Sequence, residues 1–471
     1  MHAVVFNSSA FFLFFLVLYG AYRALGDRYI MQNRLLLVAS FLFYGFWDWR
    51  FPCLMALTTV VDYVATGRMQ QHQGQRSTWL GISLLNNLGV LFILKYFEFF
   101  QANVLGTLHH LGVEASPLFT GVILPVGISF YTFQRMTFVL DAYHGKSLSG
   151  VGLFDFALFV SFFPLLLSGP IERSSNLLPQ FMRARVVTSL HVEEGIWLVA
   201  WGLFKKVFIA DNLAGLVNPV FAEGWDGTGG EALIAVYAYA FQIYCDFSGY
   251  SDVARGIAKL LGFDVMVNFN LPYFAANPSD FWRRWHIALS TWLRDYVYIP
   301  LGGNRHGAWA TNRNLMATMV LVGLWHGAAW TFIVWGMYHG SILIAHRLLV
   351  PPRREPVTSP WYVHWMNVVL MFHATCLGWL LFRAESLQQA GGLLMTILDS
   401  ARPDALALSR LGMLLGYVSI LLAVQMIQAW RRDLSVLKGI SLPLKGVAYG
   451  LLFYLTVLHG GTSNSFIYFQ F

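Results

Sequence analysis

Asn314-Leu-Met-Ala-Thr-Met-Val-Leu-Val-Gly-Leu-Trp-His-Gly-Ala-Ala-Trp-Thr-Phe-Ile-Val-Trp-Gly-Met-Tyr-His-Gly-Ser-Ile-Leu-Ile-Ala-His346 contains no Asp, Glu, Lys or Arg. A stretch of this composition belongs in hydrocarbon, where one span takes about 20 apolar residues. At about 1.5 Å per residue it would reach roughly 50 Å as a single helix, so it must tilt steeply or break near Gly323–Gly327. Those two glycines form a small-xxx-small pair, which lets helix backbones approach closely. His326 lies between them. A titratable ring in such surroundings faces a cavity or a partner, and an imidazole can move protons near neutral pH.

The rest of the chain agrees with a membrane reading. Hydrophobic residues make up 57% and charged residues 12%, about half the charge of an ordinary soluble domain. Apolar stretches fall near 10–25, 35–66, 78–100, 120–140, 152–170, 193–210, 231–249, 314–346, 362–382, 409–429 and 446–463. Backbone groups in lipid must pair internally, which predicts an all-α bundle of about ten to twelve transmembrane helices plus re-entrant or interfacial pieces. A single polytopic domain over residues 1–471 is expected. The first apolar run lacks a basic leader and reads as a retained span, not a signal peptide. Arg23, Arg28 and Arg34 then put the following loop in the cytoplasm; Arg431, Arg432, Lys438 and Lys445 mark another, which predicts both termini outside.

The net charge of +7 is spread over short loops, among them Arg68 and Arg76, Arg183 and Arg185, and Arg353 and Arg354. Orientation and contact with anionic lipid account for it; the clustered basic face that nucleic acid requires is missing. Cys53, Cys245 and Cys376 lack metal-ligand spacing and read as packing residues, so no metal is expected.

Residues 245–312 do not read as simple spans. They carry Asp246, Asp252, Arg255, Lys259, Asp264, Asp280, Arg283, Arg284, Arg294 and Asp295, each costing about 2.5–3.5 kcal/mol at a lipid-exposed helix centre. Helices buried against protein fit better. Within this region 281–293 is predicted to be one helix, with His286 on the face of Trp282 and Ser290 and with Arg283 and Arg284 pointing elsewhere. Asp246-Phe-Ser-Gly-Tyr-Ser-Asp252 reads as a helix end, a turn and a new N-cap at Ser251 or Asp252; the functional reading is a cluster that orients a histidine or stiffens a cavity. Soluble catalytic motifs fail: Gly145-Lys146-Ser147 has Leu140 where a phosphate loop needs glycine, and no Gly-x-Ser-x-Gly elbow or His-Glu-x-x-His helix occurs. Of the 14 histidines, His2, His72, His109, His110, His144, His191 and His306 read as solvated, and His339, His346, His364, His373 and His459 as packing or interfacial.

Phe281-Trp-Arg-Arg-Trp-His286-Ile-Ala-Leu-Ser-Thr-Trp-Leu-Arg-Asp-Tyr296, Leu301-Gly-Gly-Asn-Arg305 and Gly323-Leu-Trp-His326-Gly-Ala328 resemble the bacterial membrane-bound O-acyltransferases, in particular the alginate O-acetylation branch. Leu124-Pro-Val-Gly-Ile-Ser-Phe-Tyr131 and the Asp246–Asp252 cluster strengthen the resemblance, which runs from Val5 to Phe471. The same pattern serves systems that acetylate cellulose or peptidoglycan. The resemblance implies a transmembrane fold around a central tunnel, with residues 245–346 as its core. It implies a catalytic histidine at His326 and a second polar site at His286, with Asp246, Arg283, Arg284, Trp325 and Asp295 as candidates for lining or orienting. It further implies acetyl-CoA as cytoplasmic donor with no bound cofactor, a periplasmic acetyltransferase as partner, and a polysaccharide acceptor reached through it from the inner membrane.

On this reading His326 is general base for an acceptor hydroxyl, and His286 orients the acceptor or steadies the oxyanion. The ending Ser465-Phe-Ile-Tyr468-Phe-Gln-Phe471 resembles a C-terminal aromatic motif of teichoic-acid D-alanylation, where a tyrosine is implicated in acyl relay. Tyr468 is thus a candidate relay; an aromatic interfacial anchor is the other reading. Two further functions stay open: a transporter or flippase, which a multispan bundle with intramembrane histidines also fits, and D-alanyl transfer from a carrier protein.

Overall fold

The charge-free stretch is two helices. In the computed structural model, which describes residues 5–146, 150–350, 360–400, 402, 404–462 and 466–469, helix Gly307–His326 ends at Gly327 and helix Trp330–Leu349 follows at once. The two pack backbone to backbone: a Cβ on Gly323 would lie 2.1 Å from the Phe332 carbonyl oxygen, and one on Gly336 would lie 2.4 Å from that of Met319. Of the two alternatives, tilt or break, the stretch breaks, and it does so beside His326. Arg353, Arg354, Ser465, Gln470, Phe471, Ser147 and His2 lie outside the described residues.

Among the described residues every regular element is helical. Residues 73–110, Trp361–Arg383 and Ala405–Arg431 are long and apolar enough to cross a membrane, and Ser9–Ala24 and Leu442–Leu458 are shorter apolar helices. Leucine, valine and aromatic side chains stand exposed along them, as at Trp430, Leu442, Val447 and Phe453, which water would penalise and lipid does not. The chain is an all-α integral membrane protein.

Several boundaries differ from expectation. The 120–140 stretch becomes helical only at Ile128, after Gly127 in the left-handed region (φ 73°); a Cβ there would lie 2.3 Å from the Leu166 carbonyl oxygen. The 152–170 stretch breaks at Phe162, between Leu153–Ser161 and Phe163–Leu166, the second with Pro164 in its first turn. The Asp246–Asp252 cluster is no turn: it lies inside Gly229–Leu260, a helix of 32 residues. Helix continues through these carboxylates because lysines meet them, Lys206 Nζ at 2.7 Å from Asp246 and Lys205 Nζ at 2.7 Å from Asp252.

The chain divides into two compact units, Met1–Ile196 with Ala254–Met266, and Trp197–Val253 with Val267–Phe471. In the first unit, Asp62 is wholly buried and accepts hydrogen bonds from Ser83 Oγ at 2.6 Å and Asn87 Nδ2 at 2.8 Å, with the Arg135 guanidinium 3.6 Å away. This intramembrane charge is satisfied by its own neighbours, as burial requires. All the candidate site residues lie in the second unit.

Candidate active site

His326 is the last residue of helix Gly307–His326 and is 2% exposed. The chain turns away there because a Cβ on Gly327 would strike the Phe332 ring at 2.2 Å. The imidazole sits in an aromatic box. Ring centroids of Trp325, Trp335 and Phe382 each lie 5.0 Å from it, and that of Tyr468 lies at 5.5 Å. The carbonyl end of the helix favours positive charge at this position.

His286 is fully buried and also packs on Trp325, with ring centroids 5.5 Å apart. The expected continuous helix over 281–293 does not form: Pro278–Arg284 ends, and Ile287–Leu293 begins after His286, whose φ of 42° lies in the left-handed region. Such a conformation costs a non-glycine residue about 1–3 kcal/mol and persists only where its surroundings impose it. Here Asn268 imposes it. Its backbone carbonyl accepts from Ile287 N–H at 2.9 Å, and its side-chain oxygen accepts from Ala288 N–H at 3.2 Å. His286 therefore shares no helical face with Trp282 and Ser290.

The C-terminal segment completes the group. Gly461 N–H donates to the Val207 carbonyl at 3.0 Å, and Asn212 Nδ2 donates to the His459 carbonyl at 2.9 Å. Further on, Ile467 N–H donates to Asp246 Oδ2 at 2.8 Å. The other oxygen of Asp246 holds Lys206, which also reaches Asp211 at 2.8 Å. Phe466 packs on Tyr250 with centroids 4.6 Å apart, and the Tyr468 ring lies 4.4 Å from Phe247, which itself lies 4.7 Å from His286. Among the described residues the partners of Asp246 are Lys206 and the Ile467 backbone, not a histidine. Asp246 grips the backbone beside Tyr468.

The resulting constellation is two buried imidazoles, each in ring contact with the Trp325 indole, and a phenol beside one. It contains proton acceptors and a hydroxyl nucleophile. Among the described residues no group of three or more His, Cys, Asp or Glu could hold a metal. Residues 41–383 match the model of the membrane-bound O-acyltransferase family. The chain belongs to this family. The acyltransferase is 42% identical over 393 residues to the probable alginate O-acetylase AlgI of Pseudomonas aeruginosa, covering 82% of this chain and 73% of that one. It is 34% identical over 427 residues to the peptidoglycan O-acetyltransferase of Helicobacter pylori, covering 82% and 78%. With the teichoic acid D-alanyltransferase of Bacillus subtilis it shares 28% identity over 273 residues, covering 55% and 69%. The protein is an enzyme, a membrane acyltransferase of the O-acetyltransferase kind.

The structure brings together His326, His286, Trp325, Asp246 and Tyr468. The other candidates are seen in ion pairs. Arg283 is largely exposed and, with Arg284, faces Asp280 at 3.8 and 3.0 Å, while Asp295 pairs with Arg294 at 2.8 Å. Sequence reasoning passed over Lys206, Asn268, Phe247, Trp335 and Phe382. Lys205 and Lys206 did carry a signal, being two charges inside the apolar 193–210 stretch. Asn268 carried none. His339, read as a packing histidine, is fully buried among Phe281, Trp282, Trp335 and Tyr338.

Proposed function

We propose that this acyltransferase moves acetyl groups from cytoplasmic acetyl-CoA across the inner membrane to a periplasmic acetyltransferase that O-acetylates a polysaccharide, alginate first among the candidates. The polymer follows the relatives at about two-fifths identity, which are named alginate O-acetylases. Peptidoglycan follows the more distant relative. The observation that carries the reading is the Tyr468 ring 5.5 Å from His326, on a segment fastened to Asp246.

In the proposed sequence His326 takes the proton of the Tyr468 hydroxyl as the phenol oxygen attacks the thioester carbonyl. The C–S bond breaks, an acetyl ester forms on Tyr468, and the thiolate leaves with the proton from His326. The ester is then passed to a hydroxyl of the partner or acceptor, which returns a proton to Tyr468. Positive charge on His326 arises at a helix carbonyl end, which stabilises it. The termini are assigned to the periplasm by the loop charges, so the relay delivers on the side where the polymer lies.

Purified protein in liposomes, given acetyl-CoA, should accumulate an acetyl ester on the peptide containing Tyr468, read by mass spectrometry. His326→Ala should slow this by about 10²–10⁴-fold, the usual contribution of a positioned base, with membrane abundance unchanged. Tyr468→Phe keeps the ring and should abolish polymer acetylation; normal acetylation in this variant excludes the relay. Acetyl-CoA that is never consumed, alone or with the partner, would instead favour a transporter. Acetyl esters on cellulose or peptidoglycan, lost with this protein, would reassign the polymer.

A further inference from the structure

The two histidines are held by different chemistry, and for His286 that chemistry fixes where its proton sits. Asn268 is 1% exposed, and its Oδ1 faces two nitrogens at once, Ala288 N at 3.2 Å and His286 Nδ1 at 3.1 Å. A backbone N–H can only donate, so the amide must present its oxygen here and not its NH₂. That oxygen can only accept. His286 Nδ1 must then be the donor. A neutral imidazole carries one N–H, which leaves the lone pair on Nε2.

We propose that Asn268 is a positioning residue that locks His286 in the Nδ1-protonated tautomer, making Nε2 the proton-accepting nitrogen. Free histidine favours the opposite tautomer, so the selection is made by the protein. The lock is built into the backbone as well: Asn268 O holds Ile287 N–H at 2.9 Å, and His286 lies at φ 42° between the two contacts. The inference deepens the acyl-transfer reading and rests on it for its consequence. A neutral ring that accepts at Nε2 binds the hydroxyl that receives the acetyl group from Tyr468; it donates nothing to an oxyanion. This replaces the oxyanion role expected for His286.

The test reads the tautomer directly. Protein labelled with ¹⁵N-histidine in liposomes, without acyl donor, is compared with His286→Gln so that the difference spectrum isolates one ring. The expected signal is protonated at Nδ1. Asn268→Asp keeps both acceptor contacts and should keep that proton in place. Asn268→Leu removes them; the proton should redistribute to Nε2, and acetyl transfer should fall about 10–100-fold, as when an orienting partner is lost from a histidine site. Should Asn268→Leu fail to fold, the wild-type and Asn268→Asp spectra still decide. A wild-type His286 carrying its proton on Nε2 overturns the proposal, as does an unchanged tautomer in folded Asn268→Leu. An Nδ1-protonated ring in a protein that transfers no acetyl group would refute the acyl-transfer reading and leave the tautomer assignment standing.

Discussion

Lys206 stands between two buried carboxylates, Asp211 at 2.8 Å and Asp246 at 2.7 Å. Cutting a charge out of such a group leaves its partners ionised and unpaired, which costs about 3–5 kcal/mol. Lys206→Met is therefore expected to lower the thermal stability of the detergent-purified protein sharply. Lys206→Met with Asp246→Asn should recover part of the loss, because one stranded carboxylate becomes neutral; an identical melting curve for wild type and Lys206→Met would show that the group is not held together by charge. At this scale the sequence exposed His326 well, since one imidazole in a charge-free segment has few innocent explanations. It exposed His286 by motif but hid its conformation. A left-handed residue held by an asparagine eighteen positions away leaves no local pattern. Asp246 was visible as a buried acid, yet its partner, the Ile467 backbone, has no side-chain identity to notice.

Helix pairing makes a sharper set of expectations. Gly323→Ala and Gly336→Ala would each drive a methyl group into a facing backbone carbonyl, at 2.1 and 2.4 Å. Backbone cannot step aside as a side chain can, so each should cost at least the ~1–3 kcal/mol typical of overpacking. Gly412→Ala, in a helix where a Cβ would meet nothing within 4 Å, should instead be neutral or gain up to about 1 kcal/mol of helix propensity. Thermal melts of the three variants in one detergent separate the cases; equal losses would discredit the close approach. Length left a steep tilt or a break for the charge-free stretch, and the glycine pair Gly323 and Gly327 marked where a break beside His326 would fall. The cluster at 246–252 and the stretch 281–293 were misread for a different reason. Periodicity and capping residues report what a segment prefers by itself, whereas Lys205, Lys206 and Asn268 act on these segments from elsewhere in the fold.

For the whole molecule, loop charge predicts a topology that can be tested without activity. Lys438→Cys places a thiol on an exposed residue of the basic loop after helix Ala405–Arg431. In a Cys53→Ser background, which removes the exposed native thiol, a membrane-impermeant maleimide should label it in inverted vesicles and not in intact spheroplasts. Labelling from outside would reverse the predicted orientation and with it the direction of acyl delivery. Composition was sufficient to establish the membrane class, because 12% charge over 471 residues admits little else. The division into two compact units was not legible, since two of its three boundaries fall inside the helices Ser189–Leu203 and Gly229–Leu260, where composition does not change.

The π-helical segment Phe204–Ala210, which carries Lys205 and Lys206, has a consequence for inheritance. A π turn holds one residue more than the α turn around it. Loss of a single codon there would let the turn close as ordinary α-helix, leave the helix beyond it in phase, and swing the side chains of the turn itself by up to about 100°. Both lysines could not then keep their carboxylates, and the grip on the chain next to Tyr468 would go with them. A descendant could retain every side chain of the site and still lose the arrangement through a change in length alone.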